Sequence, residues 1–450
     1  MLINNRSKTR YVLDELYGVF AFRYLSTSML SIPHYWLKHC GGNIKEIEVM
    51  AFLSAIYDFQ MRVSTLRNNF LNLCNILIEE SLKLRDLMDR DVCRYILNKL
   101  LRRIRYFHRF DPEGLAIPWI IRAIYNLDLE EKASHSSELD RTIITSIWNE
   151  LSRYLDKMSD LERRRVRNIL PRPWSKSPFK RINLFLRWVV RDEYPDLGLW
   201  RSIDKSILKI PLGLEIARVG GRVFFGKDLE KNSVEDMELI TKILRRINPS
   251  DPIKYDFVLS RPALLGICLS KQEYSHCWAC LLKNICIVGS RINRYSNVLY
   301  TSLKEPLERR GIRKMIKIHN LAVKKLLTEI SNIINYQYTD CRSDYAINHG
   351  LRPDIYCIDT QPLIGEVKVY AKYRQGPMQL KAYAEELYQQ GLRNRPIGII
   401  AYININQEDL QYINEAIQIL NLRKYYKTIH ILKYDYNKNM FKTIYNLKSS

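Results

Sequence analysis

The chain has 450 residues, with 71 Lys and Arg against 48 Asp and Glu, a formal net charge of +23 at pH 7. That length exceeds one ordinary hydrophobic core and implies two or three domains, and so large a positive excess favours a polyanionic partner, nucleic acid before all others. No apolar run approaches the ~20 residues needed to span a bilayer, and the opening MLINNRSKTR lacks the apolar core of a signal peptide, so the expectation is a cytoplasmic, nucleoid-associated protein with no membrane partner.

In chain order, residues 1 to about 290 read as mostly helical. Runs such as VCRYILNKLLRRIRYF (92–107) and INLFLRWVVR (182–191) repeat apolar residues at three- and four-residue spacing. Pro and Gly punctuate them at DPEG (111–114), LPRPWSKSP (170–178) and NPSDP (248–252). Between 163 and 191 the chain is strongly basic. Arg163, Arg164, Arg165, Arg172, Lys176, Lys180 and Arg181 are candidates for phosphate contact, with Arg167, Arg187 and Arg191 in the same run. Trp174, Phe179, Phe185 and Trp188 are interleaved with them. An aromatic among cations suits base stacking, but Phe185 and Trp188, three apart on an amphipathic helix, read better as core.

Cys268, Cys277, Cys280 and Cys286 follow in the spacing C-x8-C-x2-C-x5-C. Four thiolates so close can close a tetrahedral zinc site or hold a [4Fe–4S] cluster. In a reducing compartment such a group points to metal rather than to disulfides.

After a connector near 291–300 (RINRYSNVLY) the texture changes. A helix is predicted at about 312–335. The stretches YQYTDC, RPDIYCID and PLIGEVKVY read as strands, followed by a helix at about 377–391. IGIIAYINI and KTIHILKYDY are then strands around a helix near 407–420. This order predicts a compact α/β domain with a mixed central sheet, residues 291–450, behind an all-α domain, residues 1–290.

Asp354 and, after a gap of eleven residues, Glu366-x-Lys368 lie on two of these strands. If the strands pair, the carboxylates become neighbours, and Lys368, two residues past Glu366, points to the same face. Oxygen ligands of this kind suit Mg²⁺ or Mn²⁺, which lowers the pKa of bound water. Lys368 could orient that water or stabilise charge on a phosphate. Gln379 and Tyr383 lie four apart on the next helix, hence on one face.

The set RPD…GEVK…QLKAY, residues 352–383, resembles the RecB-type branch of the PD-(D/E)XK nucleases over roughly residues 300–440. The resemblance implies a metal-dependent phosphodiester hydrolase whose site is Asp354, Glu366 and Lys368, shaped by Gln379 and Tyr383. It also implies an acidic residue on the first helix of the domain, for which Glu329 is the best candidate and Glu308 the next.

Residues 30–290, with KRINLFLRW (180–188), IPLGLEIARVGGRV (210–223) and YFHRFDPEGL (106–115), resemble a family related to the helix-hairpin-helix, endonuclease III-like DNA glycosylases. Those enzymes end their helical fold with a C-x6-C-x2-C-x5-C iron–sulfur motif. The four cysteines match its last intervals, which implies a [4Fe–4S] cluster ahead of structural Zn²⁺. The departure is at the catalytic Asp of the D-x-H-x-x-R segment: here the aligned residue is Gly213, with Glu215 two positions on. Gly213 can neither stabilise an oxocarbenium ion nor activate water. The combined expectation is a DNA nuclease, for repair or defence, targeted by a non-excising glycosylase-like domain. An active base-excision or abasic-site enzyme and a non-catalytic DNA-binding protein are the alternatives, and RNA stays open beside DNA.

Overall fold

The computed structural model describes residues 6–58, 63–104, 110–291, 312–343, 345–347, 351–370 and 376–448. The connector beyond residue 291 and Glu308 lie outside the described residues. The chain divides into two compact units, residues 1–224 with 228–259, and residues 225–227 with 260–450. The four cysteines therefore fall in the second unit.

The first unit is helical: α1 (Arg6–Thr27), α2 (Ser31–His39), α3 (Ile44–Ile56), α4 (Val63–Glu79), α5 (Arg90–Leu101), α6 (Ile117–Tyr125), α7 (Leu129–Ser134), α8 (Leu139–Ser152), α9 (Asp160–Ile169), α10 (Lys180–Val190), α11 (Leu214–Phe224) and α12 (Val234–Ile247), with α13 (Asp256–Leu264) at its end. Local chemistry starts these helices. The Asp89 carboxylate accepts from the Asp91 and Val92 amides at 2.9 and 3.0 Å and opens α5, whose Cys93, Ile96, Leu97 and Leu100 form the buried stripe. Ser159 and Glu162 form a reciprocal cap on α9, and the buried Glu162 also takes the Arg90 guanidinium at 3.0 Å.

Helix α10 runs through the middle of this unit. Phe185 and Trp188 are fully buried, as their spacing predicted. Arg187 and Arg191, counted from sequence with the basic face, are fully buried as well, and this corrects that reading. Arg187 reaches Asp256 at 2.9 Å and Asp196 at 3.2 Å; Arg191 forks onto Asp251 at 2.8–3.1 Å and also meets Asp196. Two guanidiniums among three carboxylates form an internal ion-pair network, in which Arg187 Nε and Asp196 Oδ1 have no hydrogen-bond partner among the described residues. Basic residues one turn apart look alike in sequence whether they face solvent or distant acids.

The second unit carries a six-stranded sheet: β1 (Cys341–Ser343), β2 (Ile355–Cys357), β3 (Leu363–Tyr370), β4 (Ile397–Asn404), β5 (Thr428–Asp435) and β6 (Met440–Lys448), side by side in chain order. β3, β4 and β5 are mutually parallel, and the outer pairings are antiparallel, so the sheet is mixed, as expected. Helix α15 (Gly376–Gln389) makes the β3-to-β4 crossover and α16 (Gln407–Ile419) the next. Seven of eight β4 residues are buried, the continuous apolar run of a strand covered on both faces. Helix α14 (Ile312–Ile334) covers one face through Ala322, Leu326 and Ile330, packed on Ile355, Leu363, Val367, Ile399 and Ala401. α15 lies so near β4 that a Cβ on Gly376 would stand 2.5 Å from Ile400 Cγ2.

The strand read at YQYTDC is displaced: β1 begins only at Cys341, where a disulfide ties it to Cys357 of β2. β6 went unread, because its Lys-rich, largely exposed sequence has the character of an edge strand rather than a core one.

Candidate active site

Register brings the acidic residues together. Ile355 pairs with Gly365, so the next position along puts Asp354 beside Glu366, where the last turn before β2 meets the middle of β3. Asp354 Oδ2 accepts the Val367 amide at 2.7 Å, which fixes the carboxylate against β3. Lys368 alternates onto the face that Glu366 occupies, and its Nζ lies 2.5 Å from Glu366 Oε1.

The other oxygen of Glu366 is held from α15. Tyr383 donates its hydroxyl toward Glu366 Oε2 at 3.1 Å and also lies 3.1 Å from the Arg352 carbonyl. Gln379 Nε2 approaches the Tyr383 hydroxyl at 3.4 Å. Gln379, Tyr383 and Glu366 are all buried. Gln379 Oε1 is buried with no hydrogen-bond partner among the described residues, an acceptor whose environment is incomplete.

Helix α14 adds a residue that sequence reasoning missed. His319 Nε2 stands 3.3 Å from Asp354 Oδ2. His319 lies one turn before Ala322 on the stripe that continues through Leu326 and Ile330; an imidazole ending an apolar stripe was the available signal. Glu329, the predicted acid of this helix, is ten residues further along, about 15 Å at helical rise. It pairs instead with Lys325 at 2.7 Å, so the structure does not bring it to the carboxylates.

Electrostatics sets the two acids apart. Burial opposes ionisation of Asp354, but the His319 hydrogen bond and the Lys368 charge outweigh it and hold the carboxyl below its ordinary value. Burial first, and then the charge on Asp354, push Glu366 up to about 7, against the opposing pull of Lys368. The pair titrates as a unit and carries a partly neutralised negative charge near pH 7. Burial acts against protonation of His319, and contact with Asp354 reverses that and raises it. Burial and then the Glu366 charge raise the Tyr383 phenol well above its usual value, so it remains a donor. Asp354, Glu366 and the His319 imidazole offer O, O and N donors to a divalent cation. Their chemistry and the orphaned Gln379 oxygen fit such an ion, although among the described residues no three such side chains already stand at coordinating distance.

The cysteine segment is a series of short 3₁₀ turns, Gln272–Tyr274, Cys277–Ala279, Lys283–Ile285 and Gly289–Arg291. None of its four thiols is in a disulfide, whereas Cys40–Cys74 and Cys341–Cys357 are bonded. The Gly289 amide donates to Cys286 Sγ at 3.2 Å, and a Leu282 backbone hydrogen bond favours the charged form of Cys280. Burial pushes the Cys280 thiol far up, and Cys268, Cys286 and Cys277 add to it, so the four sulfurs share one electrostatic neighbourhood. His276, beside Cys277, is fully buried with neither ring nitrogen hydrogen-bonded among the described residues. Burial, then the charge on Lys368, lowers its pKa to about 4; the cysteine segment thus lies within electrostatic reach of the carboxylate site. Four thiols outside disulfides, amide hydrogen bonds to sulfur and an orphaned imidazole have the donor chemistry of a thiolate-bound metal group, although among the described residues no three of them already stand together as a metal site.

In the first unit, the predicted phosphate contacts separate into two groups. Arg181 donates to the Ile56 and Ile169 carbonyls at 2.6 and 2.7 Å. Arg165 pairs with Asp111, Arg163 with Asp160, and Lys180 approaches Asp58. Arg164, Arg172 and Lys176 are exposed. Gly213 immediately precedes α11, and a Cβ there would stand 3.1 Å from Lys180 Cε and 3.4 Å from Glu215 Oε2. A lysine side chain lies against the place where an Asp would project.

Together these describe a helical unit followed by an α/β unit that carries a buried acid–lysine site. The family model described as "Protein of unknown function (DUF2400)" matches residues 35–265, just over half of the chain, which therefore belongs to that family. Comparison with curated proteins and with solved structures finds no match.

Proposed function

We propose that this protein is a metal-dependent DNA nuclease whose α/β unit carries the chemistry and whose helical unit binds the substrate. The observation that carries this is the convergence of Asp354, Glu366, Lys368, Gln379 and Tyr383, from three separate elements, on one hydrogen-bonded and largely buried site. An ordinary charged strand edge would be solvated. Burying a carboxylate pair costs several kcal/mol unless a cation compensates it.

Asp354 and Glu366, with His319 beside them, would hold Mg²⁺ or Mn²⁺; when bound, the ion would lower the pKa of a water and neutralise charge at the scissile phosphate. Lys368 supplies an ammonium at the same face, placed to donate to a phosphate oxygen or to orient the attacking water. Tyr383 and Gln379 keep Glu366 from rotating away. The Val367 amide does the same for Asp354. Cys268, Cys277, Cys280 and Cys286 would hold a [4Fe–4S] cluster, with structural Zn²⁺ as the alternative, and fix the segment bearing His276 near Lys368. The exposed Arg164, Arg172 and Lys176 are the phosphate contacts of the helical unit. Gly213 leaves that unit without the acid that base excision needs, so binding is its contribution.

The test is cleavage of end-labelled single-stranded, duplex, flapped and damaged DNA, and of RNA, with and without Mn²⁺. Products that require the ion are expected from DNA. Intact substrate under every condition would leave a DNA-binding protein without turnover.

A further inference from the structure

The loop 170–178 displays an aromatic ring that the fold makes no use of. Among the aromatics interleaved with the basic run, Phe179, Phe185 and Trp188 are 4%, 0% and 0% exposed, whereas Trp174 is 72% exposed. The loop beneath it is tied down. The Pro171 carbonyl accepts from Trp148 Nε1 at 2.8 Å, and the Pro173 carbonyl accepts from Arg141 Nη1 at 2.9 Å, both donors coming from α8. The Ser175 amide closes a turn onto the Arg172 carbonyl at 3.0 Å, and the Ser177 amide caps on Ser175 Oγ at 3.2 Å. Two prolines restrict the backbone on either side of Arg172, and Pro178 and Phe179 anchor the exit in the core. Arg172, Trp174 and Lys176 are thereby all turned outward, while Pro173 and Ser175 between them are partly covered.

A ring held out by a pre-ordered turn loses little entropy on binding. Cations two residues before and two after it select a partner that carries negative charge next to flat apolar groups. A nucleic-acid strand has that pairing in every nucleotide. A duplex offers base edges and hides the base faces in the stack, so the open face of an indole matches an unpaired base. Lys176 also lies within electrostatic reach of Glu235, which leaves Arg172 as the stronger phosphate contact.

We propose that Trp174 is a stacking platform for an unpaired DNA base, with Arg172 and Lys176 on the flanking phosphates, so that the helical unit selects single-stranded or locally opened DNA. This rests on the reading of DNA as the partner and not on the cleavage chemistry. The test is a titration of the full chain, without divalent cations, against a labelled oligothymidine and a blunt hairpin duplex over a range of salt. Trp174→Ala is expected to weaken oligothymidine binding about 10-fold, with an unchanged salt slope and little effect on the duplex. Trp174→Phe restores most of the loss. Arg172→Gln with Lys176→Gln lowers the single-strand salt slope by about 1.4. Wild-type binding that Trp174→Ala leaves unchanged, or weakens equally on both DNAs, overturns the stacking role alone. A wild-type chain that binds neither DNA overturns it together with the choice of partner. Unchanged melting temperatures separate these outcomes from misfolding, and Trp174→Phe keeps the ring if the alanine variant is unstable.

Discussion

At the scale of single residues, the site is a set of paired groups in which each side chain has a separable task. Lys368→Ala removes the only described ammonium bonded to Glu366, and cleavage should fall about 10²–10³-fold with DNA affinity nearly unchanged, read as a loss in turnover at saturating DNA. Tyr383→Phe deletes one hydroxyl and leaves the ring buried. It should reduce Mn²⁺ affinity or activity about 10–100-fold, measured by activity against metal concentration, while the melting temperature holds. The five motif residues were legible because their sequence spacing is the strand register itself: one step past Ile355↔Gly365 lies Asp354 beside Glu366, and Gln379 and Tyr383 share a helix face. His319 offered a single sign in the sequence, an imidazole at the end of the apolar stripe of α14. It arrives from a helix 35 residues before Asp354, and no local pattern encodes a contact made by tertiary packing. Glu329 was misleading for the same reason, since a helix offers several faces and sequence alone does not say which one meets the sheet.

At the scale of elements, the close approach of α15 to β4 positions Gln379 and Tyr383. With 2.5 Å available between a new Cβ and Ile400 Cγ2, Gly376→Val must displace the helix. A loss of about 1–3 kcal/mol in stability is expected, together with activity lost beyond what the melting shift explains; a variant that unfolds earlier but cuts normally when folded would show that α15 is not the positioning element. Helix α10 is held differently. Arg191→Ala strands Asp251 without its buried partner and leaves Asp196 to Arg187 alone, a cost of about 3–5 kcal/mol, whereas Arg164→Ala, at an exposed position of α9, should be nearly neutral to folding. Denaturant unfolding of the two variants distinguishes a buried network from a solvent-facing basic position. Strands β3, β4 and β5 were readable from apolar runs bounded by turn residues, but β6 was not, because an edge strand is specified by its neighbour's open hydrogen bonds more than by its own pattern.

At the scale of the whole molecule, the family match at residues 35–265 ends before the first of the four grouped cysteines and before the sheet, while the compact units part near residue 260. The cysteines therefore travel with the α/β unit, where burial and then the charge on Lys368 lower the pKa of His276. Anaerobically purified protein should absorb near ~400 nm if the cysteines bind iron and sulfur, and stay transparent there with zinc; Cys280→Ser should abolish that band. No described helix is long and apolar enough to cross a membrane. The net charge of +23 suits the proposal that the helical unit captures DNA and the α/β unit cuts it. The most direct measurement is Mn²⁺-dependent cleavage of end-labelled DNA by the full-length chain beside Asp354→Asn. The account predicts cutting by the first and none above background by the second, with both binding DNA equally; equal cutting by the two would contradict it.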